Sequence, residues 1–99
     1  MTKYKAIGLI ETFGLVFALE AADAMCKAAS VEVVGYANVA SGYISVIVTG
    51  DVGACNAAVE AGTNAVKMME GGNLYSSVVI ARPHEDLWKI VNKYALEII

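Results

Sequence analysis

The sequence predicts an α+β fold: a ferredoxin-like β-α-β-β-α-β sandwich with an additional C-terminal helix and an antiparallel sheet. Three observations carry that expectation. Runs rich in β-branched residues alternate with alanine-rich helical patterns in the order β-α-β-β-α-β-α. The two middle runs, "VEVVGY" and "ISVIVTG", are joined through the short stretch "NVASGYIS", Asn38 to Ser45, which reads as a hairpin. A chain of 99 residues is large enough for one core and too small for two, so residues 1–99 form a single domain.

Each element has a local reason. "KAIGLIET", Lys5 to Thr12, is a short, mostly buried strand. "GLVFALEAADAMCKAAS" turns helical, with Leu15, Leu19, Ala22, Cys26 and Ala29 as the expected inward stripe and Thr12 as its N-cap. Asp23 and Lys27 make an i,i+4 pair on that helix. After the hairpin, Asp51 caps a second helix, "VGACNAAVEAGTNAVKMM", whose tight face is Ala54, Ala58, Ala61 or Gly62, and Ala65. "EGGN" closes it, and "LYSSVVIA" is the fourth strand. "RPHEDLWKIVNKY" reads as a third helix, with Pro83 near its first turn and Glu85 and Asp86 at its positive end. The residues after Tyr94 either extend that helix or form a tail.

Composition narrows the function classes. Hydrophobic residues make up 58% of the chain and charged residues 17%, against roughly 45–50% and 25% in an average soluble domain. No apolar run approaches the ~18 residues of a membrane span, and "MTKYKAIGLIETFG" lacks a secretory cleavage site, so neither membrane nor secretion is expected. The surplus points instead to apolar surface buried against partner chains. A net charge of -3 without a basic cluster argues against nucleic acid. Cys26 and Cys55 lack CxxC spacing and read as reduced thiols in the core.

Chemistry-bearing constellations are not evident. His84 is the one histidine, placed where its ring can satisfy local backbone groups. Glu11, Glu32 and Glu60 stand singly, and Gly71-Gly72 follows a helix instead of preceding one. Tyr36 and Tyr43 could pass for base-stacking platforms, yet the basic face such a role needs is missing, so both read as strand-end packing. No catalytic residue, cofactor site or metal site is expected. The turn itself is the anomaly: it is small-sided and uncharged where an exposed loop is usually polar.

Four segments together, "AIGLIET.G", "EAADAM.KAA", "VGY..V.SG...VIV.GDV.A" and "IARPHEDL", closely resemble the single-domain shell proteins of bacterial microcompartments, from about Ala6 to Ile90. The resemblance implies a flat cyclic hexamer that tiles edge to edge, with other shell proteins, into a sheet enclosing enzymes, which engage it through their targeting segments. It implies a structural, non-enzymatic role and a pore for small polar metabolites on the six-fold axis. Carried over by position, Asn38 and Val39 lead into the pore tip, Ala40, Ser41 and Gly42 form it, and Lys27 and Arg82 lie on the hexamer–hexamer edge. The chain departs from the family pattern at Ala40 (usually glycine), Ser30 (asparagine), Phe13 (lysine) and Thr49 (arginine). "EAADAMCKAA" and "GDVGACNAAV" look more like catabolic members than carboxysome ones. The rival reading is a ferredoxin-like oligomer that binds a small regulatory ligand between subunits.

Overall fold

Strand β1 (Ala6–Phe13) is apolar on both of its faces from Ala6 to Ile10, and that part lies inside the sheet between two packed cores. The computed structural model describes residues 5–38 and 41–96. After β1 come α1 (Leu15–Ala28), β2 (Glu32–Asn38), β3 (Tyr43–Gly50), α2 (Val52–Met68), β4 (Leu74–Ile80) and α3 (Leu87–Val91), followed by a 3-10 turn over Asn92–Tyr94. The strands form one sheet in the order β2-β3-β1-β4, every pairing antiparallel. This is the ferredoxin-like sandwich the sequence predicts.

Because side chains alternate along a strand, the sheet builds two cores. Ile10, Ile44, Val46 and Val48 meet Ala18, Ala21 and Met25 of α1 and Ala58, Val59 and Val66 of α2. On the opposite face Ile7, Val34 and Ile47 meet Trp88 and Val91 of α3, with Leu9, Ile80 and Tyr94 packed around them.

The helices differ from expectation in rotation. The buried stripe of α1 is Ala18, Ala21 and Met25, not Leu15, Leu19 and Cys26, which are exposed; Ala22 and Ala29 are half-buried. The cause is the close approach of α1 to α2. A Cβ at Gly62 would stand 2.5 Å from Ile10 Cδ1, 2.8 Å from Met25 Cγ and 3.1 Å from the Ala21 carbonyl oxygen. Alanine fits that contact and leucine does not, so the leucines turn outward. On α2 the inner face is Cys55, Ala58, Val59, Gly62 and Val66, which rotates the expected stripe by about one residue; Ala54, Ala61 and Ala65 are half-buried. The choice between Ala61 and Gly62 falls to Gly62.

The caps also differ. Thr12 does not cap α1, because β1 runs on to Phe13; its buried hydroxyl donates to the Gly14 carbonyl (3.0 Å), and Gly14 holds the N-cap position. Asp51 does hold the N-cap position of α2, without a side-chain cap bond. Helix α3 starts at Leu87, later than expected. At its start, the Leu87, Trp88 and Lys89 N–H groups bond the carbonyls three residues back, at His84, Glu85 and Asp86, a tighter turn than an α-helix makes. Asp86 therefore sits at the N-cap and pairs with Lys89 at 3.2 Å. His84 satisfies a backbone group as anticipated, its Nδ1 accepting from Asp86 N–H at 3.0 Å.

Ala95 and Leu96, the described residues beyond Tyr94, leave the helix as a tail. Ala95 bridges Gly35 and Leu96 N–H donates to the Val34 carbonyl (3.1 Å), so the tail crosses the free edge of β2. Gly35 permits that crossing: a Cβ there would overlap the Tyr94 carbonyl oxygen. Both cysteines are free thiols. Only Cys55 is a core residue, its Sγ donating to the Gly50 carbonyl at 3.7 Å, while Cys26 lies on the exposed face of α1. Burial and the nearby Asp51 carboxylate push the Cys55 thiol above its ordinary pKa.

Candidate functional site

The turn between β2 and β3 is built by pairing from both sides. Asn38 closes β2 opposite Ile44, and Tyr43 opens β3 opposite Phe13 of β1. Between them Ser41 has φ 59° and Gly42 φ 81°, both left-handed, which turns the chain sharply. Gly42 suits that geometry; Ser41 carries the cost of a side chain in it. Asn38, Ser41 and Gly42 are all exposed at this tip, and Val39 and Ala40 lie outside the described residues. No charged residue belongs to the turn.

A buttress that the sequence reading misses holds the turn in place. The Gly42 carbonyl accepts from Gly14 N–H at 2.9 Å, tying the hairpin to the start of α1. The Phe13 ring lies where it would meet a Gly42 Cβ at 3.4 Å, and it packs edge-on against Tyr43, with centroids 5.2 Å apart and planes at 73°. Tyr43 in turn contacts Tyr75 at 4.8 Å. Tyr43 is thus a strand-end packing residue, as expected. The period-2 spacing of Glu11 and Phe13 against Tyr43 and Ser45 carries the rest, but it becomes legible only once the non-local β1–β3 register is known.

The two proposed edge residues lie elsewhere. Lys27 is exposed in the last turn of α1 and pairs with Asp23 at 2.8 Å; that hydrogen bond and charge raise its pKa. Arg82 is exposed just beyond β4, beside the buried Pro83, and no ion pair among the described residues involves it. The structure places Asn38, Ser41 and Gly42 together at the tip and leaves the two cations on separate elements.

A third surface is apolar. Leu15 and Leu19 of α1 are 51% and 60% exposed, and with Val33, Tyr36 and Leu96 they line an open groove of about 310 Å³ between α1 and the edge of β2. A bare groove of this kind is what assembling proteins carry before their partners cover it.

The chain is thus a ferredoxin-like domain with a neutral, buttressed hairpin tip and an uncovered apolar flank. The BMC domain model matches residues 6–83. The chain is 52% identical over 82 residues to the carboxysome shell protein CcmK1 of Thermosynechococcus vestitus, covering 83% of this chain and 73% of that one. It is 49% identical over 89 residues to the bacterial microcompartment shell protein PduA of Salmonella typhimurium, covering 90% and 93%. Among solved structures, a microcompartment protein from Desulfitobacterium hafniense superposes with a TM-score of 0.77 at 26% identity. That match covers 96% of this chain, which spans about half (51%) of the neighbour's length. The chain belongs to the BMC domain family of bacterial microcompartment shell proteins. Its role is structural, and its place is the microcompartment shell.

Proposed function

We propose that six copies of this chain close into a flat ring, that rings tile with other shell proteins into facets, and that the β2–β3 turn lines a central pore for small polar metabolites. The ring carries no catalysis of its own, and the facets enclose enzymes that engage them through their targeting segments. The observation that carries this reading is the outward leucine face of α1. A monomer gains nothing from exposing Leu15 and Leu19 beside Val33 and Tyr36, and a neighbouring copy seated there removes that surface from water. The turn suits the axis of such a ring, because small uncharged side chains leave room for six copies and raise no charge barrier. Ser41 hydroxyls and backbone amides would then replace part of a polar solute's hydration. Lys27 and Arg82, exposed and distant in sequence, are the proposed edge cations.

The ring is tested with Leu19→Glu, read by light scattering after size exclusion. Leu19 contributes to neither core, so the variant should keep the wild-type circular dichroism spectrum. Its mass should fall from that of six chains to one or two, since a carboxylate would be stranded in an apolar contact. A wild-type protein that runs as a monomer, or a variant that keeps the six-chain mass, overturns the proposal.

A further inference from the structure

The sheet face under α3 changes character along its length. Ile7, Leu9, Ile47 and Ile80 are covered by Trp88 and Val91. Two residues further along β1 the row becomes polar. Glu11 lies between Ser45 of β3 and Ser76 of β4, and the two hydroxyls donate to its carboxylate, to Oε2 at 3.0 Å and to Oε1 at 3.5 Å. The next row is aromatic, with Phe13 against Tyr43 and Tyr43 against Tyr75. Neither row belongs to the core that α3 covers, and Phe13 and Tyr75 are 46% and 64% exposed.

Two properties of this surface point the same way. Both contacts to Glu11 come from neutral hydroxyls, the closer one from Ser45, and they orient the carboxylate without bringing a counter-charge. No ion pair among the described residues involves it. Residues two apart on a strand are spaced about 6.6–6.8 Å, so the rings stand one row away from the Glu11 carboxyl group. Their tilted planes, 73° and 57° between neighbours, present both edges and faces instead of a flat stack. Aromatic faces attract cations, and most effectively those that shed water easily. A metal ion or ammonium holds its hydration shell; an alkylated ammonium has a diffuse charge and an apolar skin. Beside Ser45 an aliphatic cleft of about 290 Å³, walled by Leu9, Ile47, Ile90 and Tyr94, adds room for a hydrocarbon portion.

We propose that this open end of the sheet is a binding site for organic ammonium ions, with Glu11 supplying the charge and Phe13, Tyr43 and Tyr75 the aromatic contact. All of these residues belong to one chain, so the site stands whether or not the turn lines a pore.

The test titrates the assembled full-length protein, with tyrosine rings isotopically labelled, using tetramethylammonium chloride. Sodium chloride and the neutral, similarly sized tert-butanol serve as controls. Tetramethylammonium should shift the Tyr43 and Tyr75 ring signals saturably, with a dissociation constant of about 1–10 mM, the range a few exposed contacts provide. It should bind at least about tenfold more tightly than tert-butanol. Glu11→Gln keeps the size of the side chain and should weaken binding by about fivefold or more while leaving assembly mass and thermal midpoint unchanged. Phe13→Leu, which keeps an apolar side chain, should weaken it independently. Equal binding of the cation and the alcohol, undiminished binding by Glu11→Gln, or shifts that never saturate would each overturn the proposal.

Discussion

Ser41 shows how a single residue joins strain to function. Its φ of 59° is costly for any side chain but glycine, asparagine or aspartate, by about 1–2 kcal/mol. A leucine at this position would strain the turn as well as fill the proposed pore, and so would confuse the two effects. Ser41→Gly and Ser41→Asn both tolerate the left-handed backbone and separate them. Ser41→Gly should change stability by no more than about 1 kcal/mol, because relieved strain is offset by a freer unfolded chain. It should also widen the aperture and speed entry of a small polar substrate. Ser41→Asn should keep the turn and slow entry, since six amides occupy more of the axis than six hydroxyls. Flux is measured in intact shells whose pores come from this chain alone; unchanged rates in both variants would show that Ser41 does not line the path.

At the scale of elements, the contact between α1 and α2 decides which side of each helix faces in. Gly62 lies at its closest point. Gly62→Ala should destabilise the chain by about 1–3 kcal/mol, since the Ile10 and Met25 side chains are fully buried and would have to repack against filled space, and the Ala21 backbone is held in its helix. Gly53, in the exposed first turn of α2 with nothing within 4 Å, is the control. Gly53→Ala should stabilise by about 0.5–1 kcal/mol through helix propensity alone. Thermal or urea denaturation reads both, and a neutral Gly62→Ala would mean the helices can separate freely. This contact also explains what the sequence reveals and what it hides. Element order, the hairpin and the turn are legible because β-branched runs and glycine placement act locally. Helix rotation is not, because α1 is apolar on two sides: Ala18, Ala21 and Met25 face the core while Leu15 and Leu19 face out. Periodicity alone ranks the larger leucines as core. Likewise α3 begins late because its lead-in closes in three-residue turns, which leave no hydrophobic signature. The pairings of Glu11 with Ser45 and Ser76 depend on register across three strands, which no single segment contains.

At the scale of the whole molecule the proposed surfaces are separate, and that separation makes assembly testable in stages. The leucine groove flanks α1 and β2, the tip lies beyond β2 and β3, and Lys27 ends α1 on a side that contributes to neither core. Lys27 already holds Asp23 in an exposed i,i+4 pair, an interaction that contributes little to stability in water. Lys27→Asp exchanges that pair for two neighbouring carboxylates on a helix whose stability comes mainly from Ala18, Ala21 and Met25, so the fold and the ring should survive. Tiling should not. Each ring would present six reversed charges to its neighbours, and a small loss at one edge is repeated at every contact of the lattice. Extended sheets seen by negative-stain microscopy for the wild type should therefore give way to dispersed rings of unchanged mass. Arg82→Glu should produce the same phenotype from a different element. Sheets that persist in Lys27→Asp under identical salt would remove Lys27 from the edge, and loss of the ring itself would move it into the contact between chains.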